Sequence, residues 1–405
     1  MGRASGNNDH CRRCKKKALT NPDWPGWRGA NRDARVAWLP DSLPETANFE
    51  WTADLAGEGL GGIAAAKGFV VVGSRDVLDR NDVFQCFDME GGAMVWQHAY
   101  PAIGKLDYGN SPRATPLIHE ECVFTLGAFG HLCCLEIETG IMMWQLNVAR
   151  EFGSPKMIWG HSGTPVVVGN KLILQPGGKE ASIVALDTET GDVIWKSPGI
   201  DPSYSSLLLK TVGKSHQVIG HDAKSLGGWD VETGRRLWTI VPPQQGDFNV
   251  PTAVSLGDRL LVSSENNGTR VYHFNADGTL HPEPDMTNMD LRPDSHTPVV
   301  SNGRVYGIWR ELYGLDPKKN LATATYITDD AFDNYGCLIA SDSRLLAISD
   351  EGELLLIATD QATPEITSRL KLQHERTQVF SHPAVAGETI YVRLGTTLSA
   401  LKLED

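Results

Sequence analysis

Three histidines, His161, His296 and His382, stand at or shortly before prolines that open apolar runs. In equivalent stretches stand Tyr108, Asn110, Arg113, Trp159, Tyr204, Asn249, Asn334 and Tyr335. Imidazoles could ligate a metal or move a proton, and an indole with a guanidinium could hold a planar anion. The histidines differ in register before the strand proline, so their rings are not expected to meet on one ion and no metal site is expected. Two cysteine pairs are the other reactive candidates. Cys11 and Cys14 form a lone C-x-x-C; zinc needs four ligands, and a haem attachment site would need His where Lys15 stands. Cys133 and Cys134 are adjacent, but neighbours on a strand point to opposite faces, so two unbonded thiols are expected. The seven cysteines are irregularly spaced and fall mostly in apolar runs, as reduced, buried small side chains do. The chain contains no P-loop, no Gly-x-Ser-x-Gly and no His-Glu-x-x-His, and no catalytic residue is assigned.

What must position these side chains is a repeat. Asp88, Glu136, Asp187 and Asp230 are each followed at four residues by Gly and at eight by Trp: Trp96, Trp144, Trp195 and Trp238. Such a unit is a hairpin, in which the carboxylate satisfies turn N–H groups, Gly supplies a positive φ and the returning strand places Trp on one face. Weaker copies lie at 274–278, 315–320 and 358–360. An eighth copy begins at Leu398 and stops before its last strand; Phe49-Glu50-Trp51-Thr52-Ala53 matches the missing strand. A second element opens the units: Thr115-Pro116, Thr164-Pro165, Thr297-Pro298 and His382-Pro383 each precede a short strand, and proline suits a first strand position. Four strands in about 45 residues is the signature of a propeller blade. An all-β, eight-bladed propeller of four-stranded antiparallel blades over 49–405 is predicted, closed by the N-terminal strand, with Trp51 on the outermost strand of the last blade.

In a propeller, the loops that lead into the innermost strands gather at one mouth of the channel. The eleven residues above should therefore converge on a candidate binding funnel. An alternative remains open: they satisfy backbone groups at strand starts and line a watery channel. Trp51, Trp96, Trp144, Trp195 and Trp238 are read as structural, docking each blade on the next.

The 405 residues include 37 Lys+Arg and 50 Asp+Glu, for a net charge of -13. An acidic body argues against nucleic acid as a partner, and no apolar window is long enough for a membrane helix. Residues 1–17 carry six basic side chains against one acidic, with no apolar stretch after them, so 1–22 is expected to be a disordered basic leader without a secretion signal. Residues 23–48 are expected to pack on the propeller as an extension.

The Leu-Asp-x-x-Thr-Gly-x-x-x-Trp pattern, clearest at 186–195, resembles the tryptophan-docking repeat of the pyrroloquinoline quinone-like β-propellers. That family holds quinoprotein dehydrogenases and an outer-membrane β-barrel assembly lipoprotein. Asp23-Trp24-Pro25-Gly26-Trp27-Arg28-Gly29 is similar to a leader of bacterial members. The resemblance implies either a non-catalytic scaffold for a protein or cell-envelope partner, or a dehydrogenase using pyrroloquinoline quinone with calcium. It also implies a periplasmic or envelope location, where the sequence at face value implies the cytoplasm. The dehydrogenases close their cofactor chamber with adjacent cysteines, whereas Cys133-Cys134 lie inside a repeat strand. No calcium-ligand set can be carried over; Trp159, Arg113 and His161 would be the positions nearest a planar anionic ligand. A monomeric binding module without cofactor is the expectation.

Overall fold

The computed structural model describes residues 21–361, 363–373 and 378–404. Cys11, Cys14 and nearly all of the expected leader lie outside them. Eight four-stranded sheets form a propeller: blades 1 to 7 span 64–101, 117–147, 166–197, 208–240, 254–288, 299–327 and 336–371. Blade 8 takes three strands from 384–402 and its outermost from Phe49–Asp54, which runs antiparallel to Thr397–Lys402 with Trp51 opposite Ala400. The sole α-helix among the described residues is the five-residue turn Val148–Phe152.

The repeated residues act at the seams between blades. Trp51 donates its indole N–H to the Met89 carbonyl at 3.1 Å, Trp96 to Ile137 at 2.7 Å, Trp144 to Thr188 at 3.0 Å and Trp195 to Val231 at 3.0 Å. Each acceptor belongs to the Asp/Glu-to-Gly turn of the next blade, so Trp51 ties blade 8 to blade 1. The turn glycine is needed twice over. Gly92 and Gly234 sit at φ 68° and 70°, and a Cβ would lie 2.5 Å and 2.4 Å from the Trp51 and Trp195 rings. The carboxylates cap the turns: one oxygen of Asp88 accepts from the Glu90 and Gly91 amides, and Asp187 and Asp230 do likewise. Blade 5 lacks the turn glycine in register, and there the contact changes. Trp238 donates to Gln217 Oε1 at 2.7 Å, and the Gln217 amide donates on to the Gly278 carbonyl at 2.7 Å.

A belt runs inside the ring. The Thr115 amide donates to the Thr164 hydroxyl, Thr164 to Ser206, Ser206 to Thr252 and Thr252 to Thr297, at 2.9–3.1 Å, joining blades 2 to 6. The Thr-Pro pattern therefore carries more than a strand-opening proline. Cys133 and Cys134 are free thiols in two different hydrophobic clusters, as neighbours on opposite sheet faces must be.

The segment 21–36 lies across the inner strands of the ring, and 37–48 leads outward past blade 7, where the Leu43 amide donates to Ser368 Oγ on the outermost strand at 3.0 Å. Trp24 exchanges two backbone bonds with Ala65 of blade 1, at 2.7 and 2.8 Å, and the Pro25 carbonyl accepts from Ile118 of blade 2 at 2.8 Å. Arg32 donates to the Thr164, Pro165 and Leu207 carbonyls, all at 2.9 Å, reaching blades 3 and 4. Arg28 donates to Thr297 and Pro298 of blade 6 at 2.6 and 2.8 Å. Ala34 and Val36 bond Ala340 of blade 7, and the Asn21 carbonyl accepts from Gly387 of blade 8. Trp24, Val36, Leu39 and Leu43 are buried in one cluster with the cores of blades 6 to 8. Buried carbonyls at strand starts need donors, and two guanidiniums supply five of those bonds.

Candidate functional site

In these antiparallel blades, the loop into the innermost strand and the loop between the second and third strands leave the same end of the ring. That end is the mouth; the Asp/Glu-to-Gly turns lie at the other. Tyr108 is 67% exposed at φ 59°, a left-handed conformation held by its neighbours. Arg113 clamps this loop by donating to the Asp107, Gly109 and Ser111 carbonyls at 2.6, 2.8 and 2.7 Å. Asn110 accepts from the Leu106 amide and donates to Asp79. Burial, and then the nearness of Tyr108, raises the Tyr335 phenol to about 12, so the loop before blade 2 approaches the loop before blade 7. Tyr335 meets Phe380 edge-on at 5.2 Å. Trp159 lies 4.7 Å from Tyr204 and 4.7 Å from Phe248, bringing together the loops before blades 3, 4 and 5. Burial lowers the Arg113 guanidinium to about 10, against the attraction of Asp82 and Tyr204.

Tyr108, Arg113, Trp159, Tyr204 and Tyr335 thus share the mouth. Asn334 is exposed beside Tyr335 on the same loop, while Asn249 is buried and donates to the Asp222 carbonyl at 3.2 Å. His161 is buried beside a void of about 10 Å³ between blades 3 and 4, room for about one water, and burial lowers it to about 4. His296 and His382 belong to the channel lining. His296 Nδ1 meets the Gly336 carbonyl at 3.1 Å, and burial, then Arg28, lowers the ring to about 3. His382 packs edge-on against Trp27 at 6.3 Å and is lowered to about 4 by the same causes. All three imidazoles are lowered chiefly by burial, and His382 is close enough to His296 to lower it further. Among the described residues no group of three or more His, Cys, Asp or Glu could hold a metal ion.

Phe248 and Phe380 escaped the sequence reading, although each lies within two residues of a position it singled out. So did Trp27, and with it Arg28 and Arg32, whose partners are main-chain carbonyls that no sequence pattern marks.

Comparison with known proteins places this geometry in a family. A PQQ_2 family profile, described as outer membrane protein assembly factor BamB, matches residues 79–320 and 181–405. The chain belongs to the PQQ-repeat propeller family. It is 23% identical over 337 residues to the outer membrane protein assembly factor BamB of Shewanella oneidensis, covering 69% of this chain and 82% of that one. It is 24% identical over 143 residues to the quinohemoprotein alcohol dehydrogenase ADH IIB of Pseudomonas putida, covering 33% of this chain and 20% of that one. Among solved structures, quinohemoprotein alcohol dehydrogenase from Comamonas testosteroni superposes with a TM-score of 0.68 at 14% identity, over 94% of this chain and 80% of that one; this likeness is one of fold.

The mouth does not fit the cofactor of the dehydrogenase members. A quinone bearing carboxylates needs free cations, and every bond of Arg113 goes to the carbonyls of its own loop. The adjacent cysteines are divided between two blade seams. Arg28 and Arg32, each 5.4 Å from the Trp27 ring, are likewise spent on main-chain carbonyls.

Proposed function

We propose that this propeller is a non-catalytic binding module whose mouth end docks a protein partner, in keeping with the assembly-factor members of the family. The observation that carries this reading is the set of exposed aromatic contacts at the mouth. Phe248 packs on Trp159 and Tyr335 on Phe380, and Leu78, Ile103, Tyr108 and Ile158 are exposed on loops of the same end, while Met94, Ile141 and Val193 are exposed beside the opposite turns. Apolar groups clustered in this way on a soluble face are the usual mark of a protein interface. The name of the Shewanella relative supports an envelope-associated partner. Oxidation by a bound quinone is the competing reading, favoured by the dehydrogenase relatives.

The test compares proteins retained from native cells by wild type and by an Ile103→Ser/Tyr108→Ser/Phe248→Ser variant, together with dye-linked alcohol oxidation after addition of pyrroloquinoline quinone and calcium. The proposal expects a partner held by wild type and released by the variant, with no turnover. Calcium-dependent turnover with retained cofactor would overturn it.

A further inference from the structure

Three sulfurs converge at the turn end of blade 2. The Cys122 thiol meets the Met143 thioether at 3.5 Å, and the Cys134 thiol meets the same sulfur at 3.9 Å. The sheet register brings them together. Cys122 on the second strand pairs with Glu136 on the third, so Cys134, two residues before Glu136, stands on the same face and diagonal to Cys122. On the fourth strand a β-bulge opposite Cys134 and Leu135 leaves Met143 as the extra residue beside Trp144. Cys134 is fully buried, Cys122 partly buried and Met143 51% exposed, so the trio opens to solvent past its methionine. The Cys134 sulfur also lies 4.0 Å from the Thr188 carbonyl of blade 3.

The trio belongs to this blade and not to the repeat. The same bulge recurs in blades 1, 3 and 4, where the three equivalent positions hold one sulfur in blade 1, as Phe69, Cys86 and Val95, and none in blades 3 and 4. Blade docking therefore needs no sulfur there.

With metal–sulfur bonds of about 2.3 Å, three sulfurs around one ion lie about 4 Å apart, close to the separations seen here. Thiolates and thioethers are soft ligands, and that set selects Cu(I). Zinc takes four ligands, and among the described residues no His, Asp or Glu joins the two thiols in a group that could hold it. Burial raises both thiols above their ordinary value, and at Cys122 the charges of Glu120, Glu121 and Glu136 raise it further. A metal must therefore displace their protons, while the same glutamates draw a cation to the site.

We propose that Cys122, Cys134 and Met143 form a Cu(I) site at the seam of blades 2 and 3, in which the ion is held by three sulfurs and each thiol gives up one proton. The site lies at the opposite end of the ring from the mouth, and the inference does not rest on the reading of the mouth as a docking face.

The experiment uses the full chain carrying Cys11→Ser/Cys14→Ser, which removes the lone C-x-x-C as a competing pair of thiols. Cu(I) is titrated into it anaerobically against a chromophoric Cu(I) chelator, and released protons are counted. One ion per chain and two protons per ion are expected. In the same background Met143→Leu, which keeps the volume of an exposed side chain, should weaken binding at least about tenfold, and Cys122→Ser should abolish it. Cys86→Ala, at the blade 1 position equivalent to Cys134, should leave binding unchanged. X-ray absorption at the copper edge should show sulfur neighbours alone. No uptake by the parent, undiminished binding by Met143→Leu or Cys122→Ser, or nitrogen and oxygen neighbours at the metal would each overturn the proposal.

Discussion

The two ends of this ring follow different rules. At the turn end one contact is copied around four seams: an indole from one blade donates to a turn carbonyl of the next and covers a glycine that cannot bear a Cβ. At the mouth end no loop repeats another, Tyr108 and Asn249 adopt left-handed backbone, and aromatic rings stand exposed. Copied contacts hold a ring together; uncopied ones are free to specify a partner. The segment 21–36 ties the blades together across their inner strands.

Acid should distinguish the ends most strongly. His161, His221, His296 and His382 are all held well below 6.5, at about 4, 4, 3 and 4, with burial the main cause. The unfolded chain takes up these protons first, so stability is intact above about pH 6.5 and falls as the pH drops toward 4, by about 3 kcal/mol for each fully buried ring. Hydrogen exchange at pH 5 against pH 7 should lose protection in the loops carrying these histidines before the docked turns. Simultaneous loss at both ends would remove the distinction. Next in size is Trp24→Ala, which empties a buried site against blade 1 in the largest apolar cluster and should cost about 4 kcal/mol in urea unfolding. A cost below about 1 kcal/mol would mean that the segment merely lies over the inner strands. Gly234→Ala should cost about 2–3 kcal/mol, since its Cβ meets Trp195 at a positive φ; Trp195→Ala in the same background should then add little further. Smallest is Tyr108→Gly, expected to change stability by under about 1 kcal/mol because relief of left-handed strain offsets the lost contacts of a largely exposed ring.

The sequence made the turn end readable because its physics is periodic. Carboxylate, glycine and indole recur at fixed spacing, and even the closing strand at Trp51 betrayed itself by likeness to the strand at 193–197. The mouth was half legible. Loop position brought Tyr108, Arg113, Trp159, Tyr204 and Tyr335 to one place, but His161, Asn249, His296 and His382 turned into walls and channel, where backbone carbonyls and packing claimed them. Most hidden was the path of Asn21 to Val36, which touches seven blades at only a few points each and so leaves no period to detect.

The direct test of the mouth as the docking face is site-specific photo-crosslinking in native cells. A photoreactive amino acid is placed in separate strains at Tyr108, exposed at the mouth, and at Glu189, exposed on an opposite turn. The mouth position should give a discrete cross-linked protein that the turn position does not. A discrete adduct from Glu189 with none from Tyr108 would put the partner on the wrong end of the ring and contradict the account.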